Sequence, residues 1–133
     1  MIDARMAPYA ALLLRLALGA MFIAHGLLKW LVFTLPGTAE FFASVGFPGW
    51  TAYPVTFLEI LGGAALILGV VVRPLAAVLT VELLGAATVH LSNGWLFSNK
   101  DGGWEYPVFL AVACAALALL GEGAYALRPT RRD

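Results

Sequence analysis

His25, Lys29, Glu59, Glu82, His90 and Glu105 are the side chains in this sequence best suited to moving protons or holding a ligand, and each lies inside or at the edge of a long apolar stretch. A charge near the centre of a bilayer costs ~2.5 kcal/mol even on the most lenient insertion scale, so an ionisable residue there marks a functional site by default. Imidazoles and carboxylates transfer protons, and an ammonium or imidazole donates hydrogen bonds to a carbonyl. Together they fit a polar pocket at the heart of a small membrane bundle. The two imidazoles also raise an axial haem pair, or a non-haem centre completed by Glu59 and Glu105. Neither spacing is diagnostic, and straight helices would place the two histidines roughly two turns apart in depth. No metal-ligand set is assigned, and haem or metal stays the weaker alternative to an organic ligand.

The elements that must position these groups are dictated by composition. Of 133 residues, 62% are hydrophobic and 12% charged, with a mean hydropathy of +0.89. A soluble domain carries about a quarter charged residues, so lipid is the principal solvent. The length fits one domain, residues 1–133, with about four crossings of ~20 residues each. The formal net charge is zero, so no electrostatic case exists for nucleic acid. Cys114 is the sole cysteine, which excludes an intramolecular disulfide and a thiol-rich cluster. Arg15 interrupts the first apolar run and no small-residue cleavage site comes after it, so that run reads as a retained helix.

The expected fold is all-α, an integral membrane four-helix bundle. Its helices run from about 9–33, 54–72, 74–91 and 105–127, with Pro36-Gly37 ending the first and Arg73-Pro74 turning into the third. The segment Thr38 to Val45 is too short to span and reads as an interfacial or re-entrant helix between helices 1 and 2. Arg5, Arg15, Arg73, Arg128, Arg131 and Arg132 gather on the side of the termini, which places both termini in the cytoplasm. Trp30, Trp50, Tyr53, Trp95, Trp104 and Tyr106 form an aromatic belt at the opposite ends.

Helical spacing puts Arg15, Gly19, Phe22, Gly26 and Lys29 on one stripe, with His25 beside it. A second stripe holds Glu59, Gly63, Leu66, Val70 and Arg73, and a third Glu82, Gly85, Ala86, Val89 and Asn93, with His90 adjacent. By depth, His25 and Glu59 come within reach of each other in an outward-facing pocket lined also by Lys29, His90, Glu105 and Trp104, with Glu82 beneath. Each group has a plainer role too. Lys29 can snorkel to the interface, Arg15 can snorkel or meet a lipid phosphate, and Glu105 can cap its helix. Glu59 and Glu82 are too short to reach either interface and must be paired, neutralised or hydrated, a structural ion pair being one solution.

The ordered set Arg15-Leu16-Ala17-Leu18-Gly19, His25-Gly26-Leu27-Leu28-Lys29, Phe42 with Gly46-Phe47-Pro48, Glu59 with Gly62-Gly63 and Gly69, Arg73-Pro74, His90 and Gly102-Gly103-Trp104-Glu105-Tyr106-Pro107 resembles the DoxX family over almost the whole chain. The resemblance implies a bacterial or archaeal inner-membrane protein of four transmembrane helices, linked to membrane redox chemistry and, in sulfur-oxidising relatives, to quinones and a separate partner subunit. Three readings are compatible with these residues. The first is a redox subunit that binds a quinone: His25 and Lys29 donate to a carbonyl, Glu59 accepts and relays protons, and Glu82 stands behind it. Glu59 and His25 are then the catalytic pair. The chain carries no catalytic motif sufficient for activity alone, so an electron source must dock from a protein partner. The second reading is a non-enzymatic scaffold whose polar groups pair with one another, as a subunit or homo-oligomer. The third is a small carrier with carboxylates as proton sites.

Overall fold

A computed structural model describes residues 1–129. Arg131 and Arg132 of the basic tail lie outside the described residues. Among the described residues, every regular element is helical. The first helix, α1, spans Ala7–Leu27 with Pro8 in its first turn, where a missing N–H goes unnoticed. It buries Ala11, Arg15, Leu18, Gly19, Phe22 and Gly26, a set spaced by three and four residues that traces one face. The expected continuation to residue 33 is not regular α-helix. Leu28–Val32 form a π-helical turn, closed by the Phe33 N–H donating to the Leu28 carbonyl at 2.9 Å.

The short segment after it is helix α2, Leu35–Ser44, entered through Thr34 at a φ of 66°. Thr34 caps it, its hydroxyl accepting from the Gly37 N–H at 3.2 Å. A 3-10 turn at Gly49–Thr51 leads into α3, Ala52–Leu68, two residues earlier than expected and ending at Gly69 with φ 73°. Left-handed backbone at Gly69 and Val71 makes the reversal into α4, Val72–His90. A 3-10 turn at Leu91–Asn93 and a polar loop then reach α5, Glu105–Leu120.

The helices pack as two close pairs, α1 on α3 and α4 on α5, with shorter α1–α5 and α3–α4 contacts joining them. The α1–α3 pair is antiparallel: Gly19 lies beside Gly63 and Ile67, and Gly26 beside Thr56 and Ile60. A methyl group on Gly63 would sit 2.6 Å from the Gly19 carbonyl oxygen, so glycine is what permits this approach. Leu18, Phe22, Leu66, Leu79, Leu117 and Cys114 fill the space between the pairs.

The expected fourth helix, 105–127, stops seven residues early, at Leu120. Gly121 takes a φ of 89° and the chain doubles back, with the Ala124 N–H donating to Pro8 at 2.9 Å and the Leu127 N–H to Leu68 at 3.0 Å. Arg15 explains this. Its guanidinium, 1% exposed, donates to the carbonyls of Glu122, Ala124 and Ile67, so it neither snorkels nor meets lipid phosphate. Arg73 acts alike at the end of α5, donating to the carbonyls of Ala118, Leu119 and Leu120 at 3.2 to 3.4 Å, groups a helix C-terminus leaves unpaired.

Among the described residues, three helical segments are long and apolar enough to cross a membrane: Ala7–Val32, Gly49–Leu68 and Val72–Asn93. The apolar α5 has 16 residues, about 24 Å at ~1.5 Å per residue, less than the ~30 Å of a typical hydrocarbon core.

Candidate functional site

The residues named from sequence fall into three separate places. The first is a buried ionic cluster. Lys29 projects from the π-helical turn and its Nζ donates to both carboxylate oxygens of Glu59, each at 2.8 Å. The Glu59 side chain is 6% exposed and that of Lys29 20%. A π turn inserts an extra residue per turn and re-aims the side chains after it, which is why such turns gather at functional sites. Here it orients Lys29 toward α3 and leaves its carbonyl to accept from the Thr38 hydroxyl of α2 at 3.1 Å. Thr38, 4% exposed, thus fastens α2 to the residue that holds the ion pair. Nothing in the sequence marks Thr38 for this role, since a threonine inside a short amphipathic helix carries no distinguishing signal.

Glu82 joins this cluster from α4. Its carboxyl is in hydrogen-bond contact with that of Glu59 and within electrostatic reach of Lys29. Its Oε2 is buried with no hydrogen-bond partner. Three helical segments therefore contribute one ammonium and two carboxyl groups to one place in the interior. A hydrogen bond between two carboxyl groups needs a proton on one of them. Such a cluster can hold a proton or pass it on.

The second place is the α1–α5 contact, where His25 sits. Its Nδ1 lies 2.8 Å from the Met21 carbonyl. A carbonyl only accepts, so Nδ1 carries the hydrogen and Nε2 is left for other use. The ring faces Tyr106, centroid to centroid 6.1 Å, and the Tyr106 hydroxyl reaches Met21 Sδ at 3.7 Å. Lys29, and not His25, is the α1-side group bonded to Glu59. Tyr106, expected only in the aromatic belt, is the ring neighbour of His25.

The third place is the loop before α5. His90 Nδ1 donates to the carbonyls of Asp101 and Gly102 at 3.1 and 3.0 Å, and Asn93 reaches the same two carbonyls at 3.2 and 2.9 Å. Glu105 accepts from the Phe97 N–H at 3.3 Å. His90 and Glu105 thus clasp the loop to the ends of α4 and α5. Trp104, Glu105 and Tyr106, with Trp95, Phe97 and Phe109, line an open groove of about 500 Å³, a size that suits a small aromatic ring. Among the described residues no three His, Cys, Asp or Glu side chains converge as a metal-holding group.

A model of the DoxX family matches residues 10–91, a stretch that holds His25, Lys29, Glu59, Glu82 and His90. The chain is similar to a Bacillus subtilis (strain 168) protein named "Putative oxidoreductase CatD", 34% identical over 119 residues that cover 89% of this chain and 84% of the relative. No solved structure matches the chain.

Proposed function

The chain belongs to the DoxX family, and on that premise we propose that this multi-pass membrane protein is a small subunit of a redox system that binds a quinone. The observation that carries the proposal is the Lys29–Glu59–Glu82 cluster, whose groups are held at 2.8 Å or in direct contact within the apolar interior. Quinone reduction consumes two protons with its two electrons, and buried carboxyl groups beside an ammonium supply a place for them. The relative named as an oxidoreductase supports the same reading. Glu59 is the proton-handling group, with Glu82 behind it, Lys29 donates to the ligand carbonyl, and His25 offers Nε2 from the α1–α5 side. The aromatic groove at Trp104 gives an apolar wall near the membrane surface. Electrons come from a protein partner that docks on the bundle.

We place the protein in a bacterial inner membrane as a four-helix bundle of α1, α3, α4 and α5, with α2 in the outer interface and both termini cytoplasmic. Arg5 and Arg128 at one end, and exposed Trp30, Trp50 and Trp95 at the other, support that orientation. The short α5 is accommodated by local bilayer thinning.

Purified protein in native-lipid discs is expected to bind a quinone in a reduced-minus-oxidised titration, and Glu59→Gln to weaken that binding about tenfold, the equivalent of one charge-assisted interaction. Absence of binding by the unaltered protein rejects the proposal. A second reading, a scaffold subunit, draws on the closed geometry of the Lys29–Glu59 pair, in which both carboxylate oxygens are already engaged. It requires a reproducible protein partner on detergent purification, with no quinone bound.

A further inference from the structure

The groove beside α5 is apolar with one exception. Trp95, Phe97, Trp104, Tyr106 and Phe109 line it, and among the described residues around it Glu105 is the one charged side chain. An interfacial belt accounts for tryptophan and tyrosine near the membrane surface, but no belt requires a carboxylate in their midst. That charge calls for a counter-ion.

The loop before α5 holds the carboxylate among the rings. The Trp104 N–H donates to the Gly94 carbonyl and the Glu105 N–H to that of Trp95, each at 3.1 Å, so the chain leaving α4 is laid against the start of α5. Gly103 permits this approach, since a methyl group there would run into the Leu96 carbonyl. Glu105 Oε1 accepts from the Phe97 N–H at 3.3 Å, a neutral donor. Among the described residues no Lys, Arg or His pairs with Glu105, and its Oε2 has no hydrogen-bond partner.

The lining selects the occupant by charge and by shape. An ammonium is attracted both by the carboxylate and by the faces of Trp, Tyr and Phe rings, whereas an anion is repelled. Below Glu105 the groove continues past Phe109, 70% exposed, to Val112, 61% exposed, about 10 Å along α5. That lower part is purely apolar and suits a hydrocarbon chain. A soluble amine fills only the upper part.

We propose that this groove binds a membrane lipid with an ammonium headgroup, its nitrogen against Glu105 and the aromatic rings and one chain along Phe109 and Val112. The volume of about 500 Å³ falls in the ~300–1,000 Å³ range of small-ligand sites. The inference does not depend on what occupies the ionic cluster at Lys29.

The test is native mass spectrometry of the detergent-purified protein given equal amounts of phosphatidylethanolamine and phosphatidylglycerol with identical chains. The first carries the ammonium and is expected to be retained about fivefold over the second, the size of an exposed ion pair with a cation–π contact. Glu105→Gln, whose amide oxygen can still accept from the Phe97 N–H, should bring that ratio close to one. Phe109→Ala should lower retention of both lipids alike. Equal retention by the unaltered protein, retention of neither lipid, or a preference that survives Glu105→Gln overturns the inference. Ethanolamine in large excess should leave the bound lipid in place; displacement by it makes the ligand a soluble amine and overturns the lipid assignment. Unchanged retention by Phe109→Ala overturns the course assigned to the chain.

Discussion

Two cations on the first span, the buried Arg15 and the half-buried Lys29, solve the same electrostatic problem in opposite ways. Arg15 is surrounded by backbone carbonyls from the chain after α5 and from the end of α3. Its partners are dipoles with no proton to give, and the electrostatic attraction of Glu122 adds to them. The result is a latch. Lys29 meets a carboxylate, and behind that carboxylate stands a second one with an unfilled oxygen. A guanidinium spreads its charge over a rigid fork suited to several carbonyls, whereas an ammonium is a compact point charge that pairs with one carboxylate. The contrast separates charge used to hold a fold from charge left available for chemistry.

The largest loss is expected at Lys29. Lys29→Met removes the cation and leaves two facing carboxyl groups in the interior, which should cost about 3–5 kcal/mol in detergent unfolding. Combining it with Glu59→Leu should recover most of that loss, because a buried pair replaced by apolar side chains is close to neutral. Arg15→Leu should cost about 3 kcal/mol, and limited proteolysis should then cut between residues 121 and 129 while the Lys29–Glu59 region stays protected. A smaller loss, about 1–3 kcal/mol from overpacking, is expected for Gly63→Val, whose side chain has no room beside Gly19. His90→Ala should cost about 1 kcal/mol, and its effect should appear as faster hydrogen exchange in residues 94–104 with the cluster unchanged. Gly85→Ala closes the series at less than about 0.5 kcal/mol. Loss of the ionic cluster on His90→Ala would mean that the loop and the interior are one unit.

Helix existence and type were legible because lipid leaves the backbone no alternative to internal hydrogen bonding, so apolar length translates directly into helices. The Gly19, Gly26 and Gly63 stripes likewise announced faces turned toward protein, and the packed chain sets those of α1 and α3 against each other. The ends were less legible. Gly121 and Gly123 are stop signals that the expected helix to residue 127 overran, whereas the path of the chain beyond them is held by Arg15, a residue more than a hundred positions away. The π turn at Leu28–Val32 is equally silent, since no residue in Leu-Lys-Trp-Leu-Val demands it. The turn carries the Lys29 that meets Glu59 of α3.

Composition and periodicity alone established that the chain is helical and apolar, that Glu59 and Glu82 cannot reach water by their own length, and that each apolar segment has one face for protein. Only the packed chain decided which charges meet. Depth along an axis is a one-dimensional quantity that periodicity supplies, but partnership depends on helix rotation and on the crossing of neighbours, set by side chains far apart in sequence. That is why His25 and Glu59 stood at matching depth while Lys29 became the partner, why His90 and Glu105 turned to the loop, and why Glu82 was left with an oxygen to spare.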